Sequence, residues 1–485
     1  MLKRSINSIM DFYNTVIIGS GPAGLAFANY AIKANPEEKI IIIEKDKVIG
    51  GCHKVNRKKF NNEYYFCEHG PRIYIGNYVN FIKLLKSMNL DFNELFIKKY
   101  SLIQILNKLV FNDNIFGFKE FLLLTRDFIL VIFNNKHGIN ISMYDYMKFN
   151  NFSHETINNI DGFCRSFDGG DSTKISLNQF INVTIQSIFY SIYVPKIPND
   201  DGLFNYWKKY LENNKVRFIL NNPVIKIDKN KNKVEKIILK DGSEIKGNKF
   251  IFAMPPENLI KINGLKEVFE LTDDYIEKTD YNEYISITFH WDYKLDLVDE
   301  ISIFNTKTVW GLIHSNMGDY MKFKENKSKS VISCAIILTD IKGNLYNKTA
   351  NESNEMELIE EVLEQLRLIY KNIPKPTLYF INNYYDEKEK KWKSNETAYL
   401  KVPNYNYLDF KSKNYSNLYN LGTHNGKHKN SFTSLESAIS NSIKLSNIIF
   451  NKKEKIRRCF DIRDFLIVLL SLIIVILLFY YLYKK

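Results

Sequence analysis

Apolar and polar positions divide this chain into short β-branched runs, longer amphipathic stretches and one uninterrupted apolar tail. Residues 14–18 and 39–43 are compact apolar runs and predict buried strands. Between them residues 25–31 predict a helix. Residues 78–204 carry Phe, Tyr, Leu and Ile at helical spacing, most densely over 121–133. Arg126 and Asp127 interrupt that segment, which is too short and too charged to span a bilayer. It predicts a helix whose aromatics form core. Ser142 predicts the N-cap of the next helix, and residues 168–171 a turn. Further strands are expected at 222–227, 233–239, 243–246, 250–252, 284–291 and 331–338. The second and third of these form a hairpin around Asp241-Gly242. Residues 355–370 predict an amphipathic helix stopped near Pro374 and Pro376. Residues 418–423 predict a strand and turn, followed by a helix over 435–443.

The first strand–helix–strand unit holds a glycine pattern with chemical consequences. Gly19, Gly21 and Gly24 form G-x-G-x-x-G at its turn, and Glu44 ends the second strand 20 residues after the third glycine. Gly19 permits the tight turn, Gly21 lets backbone approach a pyrophosphate, and Gly24 lets helix and strand pack closely. Pro22 and Ala23 open the helix, whose free N–H groups and dipole favour an anion. Glu44 is expected to accept hydrogen bonds from ribose hydroxyls. The unit predicts dinucleotide binding.

Composition changes this picture at the C-terminus. The net charge of +13 is spread along a Lys- and Asn-rich chain, so it does not mark a nucleic-acid site. The one dense basic cluster, Lys452, Lys453, Lys455, Arg457 and Arg458, precedes residues 465–483, which are uncharged. As a helix these residues span about 28 Å, close to the thickness of a bilayer core. Tyr480, Tyr481 and Tyr483 suit an interfacial belt. The expectation is a single-pass tail anchor with the body facing the cytosol, on the mitochondrial outer membrane, endoplasmic reticulum or a viral envelope. Five scattered cysteines without a C-x-x-C pair, and an N-terminal arm (1–12) lacking an apolar signal, agree with reduced thiols. His424 and His428 flank Gly426 in a loop and are not expected to bind metal.

Gly50-Gly51 follows Glu44, and Glu68-His69-Gly70-Pro71-Arg72 follows in turn. With the first fingerprint, these turns resemble the flavin-containing amine oxidoreductases, which include monoamine oxidases, protoporphyrinogen oxidases and carotenoid desaturases. The Glu-His-Gly-Pro-Arg stretch is more similar to the latter two branches. Where the family usually has Arg after Gly-Gly, this chain has Cys52 and His53. The resemblance covers about residues 14–450 and implies an α/β chain: a Rossmann-type FAD-binding domain with an inserted α+β substrate domain. It implies FAD-binding segments 13–77, 205–260 and 391–450, substrate-domain segments 78–204 and 261–390, a basic linker 451–464, and the anchor at 465–483.

The resemblance further implies FAD contacts at Gly50, Gly51, Gly70, Pro71, Arg72 and Val224, and at Gly422, Thr423, Leu435 and Glu436 near the C-terminus. Ser437 and Ser442 stand where the family has Gly. The implied activity is oxidation of a small organic substrate, with oxygen or another electron acceptor. Residues 392–422 hold no Cys, so the FAD is expected to be non-covalent. Ser286 falls where amine oxidases place a Lys near the flavin, so efficient oxidation of simple monoamines is not expected. Catalytic residues are not identified. A flavin-dependent isomerase of the UDP-galactopyranose mutase type, with similar glycine turns, and a non-catalytic flavin-binding scaffold are the alternatives.

Overall fold

A computed structural model describes residues 12–112, 114–168, 170–278, 284–297, 307–324, 327–394, 407–426, 428–430 and 433–484. Most of the expected N-terminal arm, and Gly169 of the expected 168–171 turn, lie outside the described residues.

A seven-stranded sheet organises the molecule. Its order is Arg217–Ile219, Ile40–Ile43, Phe12–Ile18, Glu244–Phe252, Lys233–Leu239, Val224–Asn230, with Leu418–Asn420 pairing to the end of Glu244–Phe252. Ile40–Ile43 is buried at all four positions, which is why it reads as an unbroken apolar run. The expected strands at 243–246 and 250–252 are one strand. It pairs antiparallel with Lys233–Leu239 and parallel with Phe12–Ile18. Helices Pro22–Ala34 and Leu435–Phe450 pack on the sheet and on each other through one apolar core.

A second sheet is antiparallel, ordered Ile313–Asn316, Ser330–Ile336, Ile285–Trp291, Leu378–Ile381. Helix Glu355–Arg367 buries Leu358, Val362 and Leu366 against it. A hairpin, Val55–Phe60 with Glu63–Glu68, leans on this sheet. Its turn residues Asn61 and Asn62 have φ of 47° and 64°, the left-handed pair that a two-residue hairpin turn needs. The polar strand Val55–Phe60 hides this hairpin from a hydrophobic reading.

The helical layer includes Phe118–Phe133, Met143–Phe149, His154–Asp168 and Leu177–Ser187. Ser142 caps the second of these, accepting from the Asp145 N–H at 2.9 Å. The expected helix forms as Phe118–Phe133, with Leu123, Leu124, Phe128 and Ile132 packed on the core, but its aromatics are not mostly core. Its acids, Glu120 and Asp127, are 7% and 1% exposed, while Phe118 and Phe133 are 80% and 82% exposed. Glu120 accepts bonds from the Gly117 and Ser153 N–H groups and the Thr156 hydroxyl. Asp127 is held by Tyr146, His137 and Arg126 at 2.6–2.7 Å. These partners let the charged side turn inward.

The chain ends in one apolar helix, Ile462–Lys484, long enough to cross a bilayer and not buried against the body. The expected linker before it is docked. Arg457 exchanges backbone hydrogen bonds with the Asn80 side chain, and Cys459 is buried.

Candidate active site

The glycine turn meets its stereochemical requirements. Gly19 has φ +105°, and a Cβ there would lie 2.5 Å from the Ala253 carbonyl oxygen. At Gly24 a Cβ would lie 2.2 Å from the Gly19 oxygen. Gly21 differs: a Cβ would meet only Gly51 Cα, at 3.7 Å, so its open side faces a cavity. Helix Pro22–Ala34 starts at this turn and carries its N-terminal dipole to the same wall.

The cavity has a volume of about 560 Å³. Thirteen expected residues line it: Gly19, Gly21, Pro22, Ala23, Glu44, Gly51, Gly70, Pro71, Arg72, Val224, Gly422, Thr423 and Leu435. Segments separated by up to about 400 positions in sequence thus converge, because the parallel strands end at one edge.

Three expected residues are not on the wall. Gly24 serves the helix–strand contact just described. Gly50, at φ +121°, turns the chain and donates its N–H to the Ser20 carbonyl at 3.0 Å. Glu436 points into the core. Its carboxylate accepts from the Asn80 and Phe81 backbone N–H groups at 2.8 and 2.9 Å, and from the Asn80 amide. It therefore caps helix Val79–Ser87. Burial pushes its carboxyl up to about 7, against those donors.

Glu44 reaches the wall already partnered. One oxygen accepts from the Ser20 N–H at 2.9 Å and the Ser20 hydroxyl at 2.6 Å; the other accepts from the Asp46 N–H at 3.1 Å. This fixes the carboxylate beside the turn. Lys54, buried, pairs with Asp46 at 2.6 Å, and both line the cavity. Sequence reasoning missed this pair, although Lys54 follows the Gly-Gly turn by three positions.

Arg72 donates to the Cys52 carbonyl and lies 4.0 Å from Glu68. Glu68 is buried, and burial pushes its carboxyl up to about 8, partly offset by Arg72 and Ser333. His53, also on the wall, is held neutral: burial, then the Arg72 charge and His69, lower it to about 3. The sequence shows these residues but not their burial.

The Gly422–Thr423 turn is held by three asparagines that sequence reasoning did not single out. Asn425 accepts from the Gly422 N–H at 2.9 Å and donates to Asn420 at 2.7 Å, while Asn441 donates to the Gly422 carbonyl at 2.6 Å. Ser442 donates to the Ala23 carbonyl at 2.9 Å, so the small residue at the family's Gly position sits at the contact of the two helices. His424 lies 2.9 Å from Asn420; among the described residues no cluster suits a metal.

A further section of wall comes from the second sheet and its neighbours: Tyr284, Ile313, Ala335, Ile192, Ile73 and Ser166. It is apolar apart from two hydroxyls, and the Tyr284 hydroxyl donates to the Arg165 carbonyl at 2.9 Å. The only carboxylates among the described lining residues are Glu44 and Asp46. Ser286 is 1% exposed and donates to the His69 carbonyl, tying the second sheet to the Gly70 turn rather than presenting its hydroxyl to the cavity. A second, apolar cavity of about 190 Å³ lies in the helical layer, among Leu109, Phe116, Phe121, Phe128 and Phe163.

The donor set suits a dinucleotide: an anion-favouring helix N-terminus, a glycine open to close approach, and a fixed acid one strand away. Two family profiles match the chain. One, described as an NAD(P)-binding Rossmann-like domain, matches residues 17–88; the other, described as flavin containing amine oxidoreductase, matches residues 145–440. No curated protein sequence matches the chain. Among solved structures, the chain is similar to putrescine oxidase bound to putrescine, at 12% identity and TM-score 0.60, covering 91% of this chain and 100% of that one. A protein assigned as a protoporphyrinogen oxidase from Exiguobacterium sp. 255-15 is 13% identical at TM-score 0.60, covering 92% and 100%. Cyclohexylamine oxidase from Brevibacterium oxydans IH-35A is 12% identical at TM-score 0.60, covering 90% and 99%. At these identities the structural likeness establishes the fold alone. The second profile spans more than half of the chain: the protein belongs to the flavin containing amine oxidoreductase family and is an FAD-dependent oxidoreductase.

Proposed function

We propose that this protein oxidises an apolar organic substrate while tethered to a membrane by Ile462–Lys484. The observation that carries the substrate reading is the wall formed by Tyr284, Ile313, Ala335 and Ile192, which brings no carboxylate to meet an ammonium group. In this reading FAD extends along the cavity. Gly21 and the N-terminus of Pro22–Ala34 hold the pyrophosphate, and Glu44 and Lys54 lie by the ribose. Val224 packs by the adenine, and Gly422, Thr423 and Leu435 close over the ring system. When bound, the flavin supplies a two-electron acceptor at N5 for hydride from a substrate C–H bond, later passing the electrons to oxygen or another acceptor. The protein orients the substrate and excludes water through its apolar wall.

The same reading makes the FAD domain discontinuous. Its sheet draws strands from 12–43, 217–252 and 418–420, with the second sheet's strands lying between in sequence. The helix Leu203–Asn213 crosses the 204/205 boundary expected above, and its Trp207 belongs to the first sheet's core. The FAD is non-covalent, so acid precipitation releases it to the supernatant.

Anaerobic reduction of the bound flavin tests the substrate class. Benzylamine, tyramine and a polyamine are expected to bleach it slowly, and one of a panel of polyenes or porphyrinogens quickly. Rapid, saturable bleaching by any of the amines contradicts the reading. An isomerase would turn over its substrate with no net reduction of an acceptor.

A further inference from the structure

The helix Phe118–Phe133 packs Leu124, Phe128, Val131 and Ile132 on the core, yet it also carries an exposed apolar stripe. Phe118, Leu122, Ile129 and Phe133 recur at spacings of four, seven and four, forming one stripe along its length. They are 80%, 51%, 48% and 82% exposed. The opposite stripe, Glu120, Asp127 and Val131, is buried. Burial works against the Asp127 charge, but bonds from Tyr146, His137 and Arg126 outweigh it and hold its carboxyl below the usual range. A surface helix in water turns its apolar stripe inward. This one keeps a second apolar stripe facing outward along about 24 Å of axis, while its acids lie inside and are provided with partners.

The anchor helix departs from the same layer. Arg463, near its start, donates to Asn135 at 2.8 Å and to Asn182 at 3.1 Å. Asn135 is two residues beyond Phe133. Phe465 packs on Phe189 with ring centroids 5.5 Å apart, and Ile462 packs against the core containing Phe128 and Ile132. The apolar stripe thus ends where the chain would enter the membrane. Lys119 and Lys136 border it, as cations border helices that lie in an anionic interface, while the neighbouring Arg126 is paired with Asp127.

We propose that Phe118–Phe133 is a second membrane contact, lying in the interface of the leaflet that the tail enters, with Phe118, Leu122, Ile129 and Phe133 among the lipid chains. The inference rests on reading Ile462–Lys484 as a bilayer anchor. The occupant is lipid: the stripe continues the surface from which the anchor emerges, and its flanks carry cations suited to acidic headgroups. An interfacial helix of this kind seats its apolar face about 5–10 Å deep.

The test is tryptophan quenching by brominated acyl chains, on the full chain in vesicles of phosphatidylcholine and phosphatidylglycerol. The four native tryptophans, Trp207, Trp291, Trp310 and Trp392, are all buried and give a constant background. Phe133→Trp and Phe118→Trp are expected to lose most of their added emission on brominated lipid. Tyr346→Trp, on the exposed surface beside Glu360, is expected to lose none. Phe479→Trp reports the anchor separately. Quenching at 479 without quenching at 118 and 133 overturns the proposal and leaves the anchor standing; absence of quenching at 479 removes the anchor itself. Blue-shifted but unquenched emission at 133 points to a second copy or another protein on the stripe, and equal quenching at 346 to non-specific adsorption. Either result also overturns the proposal.

Discussion

The glycine-turn sheet and the helical layer obey opposite rules of burial. Around the sheet, burial follows side-chain character: Ile40–Ile43 and Phe250–Phe252 lie inside, and Glu44 lies at the strand end with its oxygens bonded. In Phe118–Phe133 two carboxylates lie inside while Phe118 and Phe133 lie outside. The sheet's requirements are set by its own backbone geometry and by the close approach of the glycine turn to its neighbours. The helix is shaped by partners remote in sequence on one side and by its surroundings on the other. A local sequence pattern therefore describes the first region and misleads about the second.

The largest effect expected from breaking this contrast is at Gly24. A methyl group 2.2 Å from the Gly19 oxygen cannot be accommodated without moving the turn. Gly24→Ala should cost about 3 kcal/mol or more, read as a fall in the urea midpoint. Asp127→Ala is the corresponding change in the helical layer. It strands Tyr146 and removes the neighbour of His137, and should cost about 2–3 kcal/mol. Phe133→Ser, on the exposed stripe, should change stability in detergent by less than about 0.5 kcal/mol. A large loss there would mean that the stripe packs within the protein.

Those contrasts locate what was legible. The strands, the glycine turn and the closing turn at Gly422 could be read because strand alternation and glycine geometry are local. Thirteen cavity residues followed from them and from family likeness. The capping role of Glu436 was not legible because its partner, the first turn of Val79–Ser87, is more than 350 positions away. The Val55–Glu68 hairpin was missed because its outer strand is polar, and Asn61-Asn62 alone gave the turn. The inversion of Phe118–Phe133 needed Tyr146, His137, Ser153 and Thr156 to be placed, and no spacing rule places them.

Glu68, buried beside the cavity wall, makes stability depend on pH. Its carboxyl, raised to about 8, holds a proton in the folded state that the unfolded chain releases near 4.5. The folded state then binds more protons between those values. Its contribution is full below about 4.5 and is lost as pH rises towards about 8. Glu68→Gln should flatten that part of the stability–pH curve, measured by denaturation at several pH values. An unchanged slope would show that Arg72 keeps Glu68 ionised. The tail offers a further contrast. Deleting 465–485 should release a flavin-loaded protein, and deleting from 459 should cost about 1–2 kcal/mol more, because the Phe460 N–H bond to Tyr190 and the Arg463 contacts go with it.

FAD is expected to occupy the cavity at the glycine turn. Gly21→Val separates cofactor binding from folding, because a side chain there meets little protein, with only Gly51 Cα within 4 Å of its Cβ. The variant should unfold cooperatively near the parent's midpoint when both are stripped of flavin, yet purify without flavin absorbance and fail to bind added FAD. A Gly21→Val protein that retains stoichiometric FAD would contradict the claim.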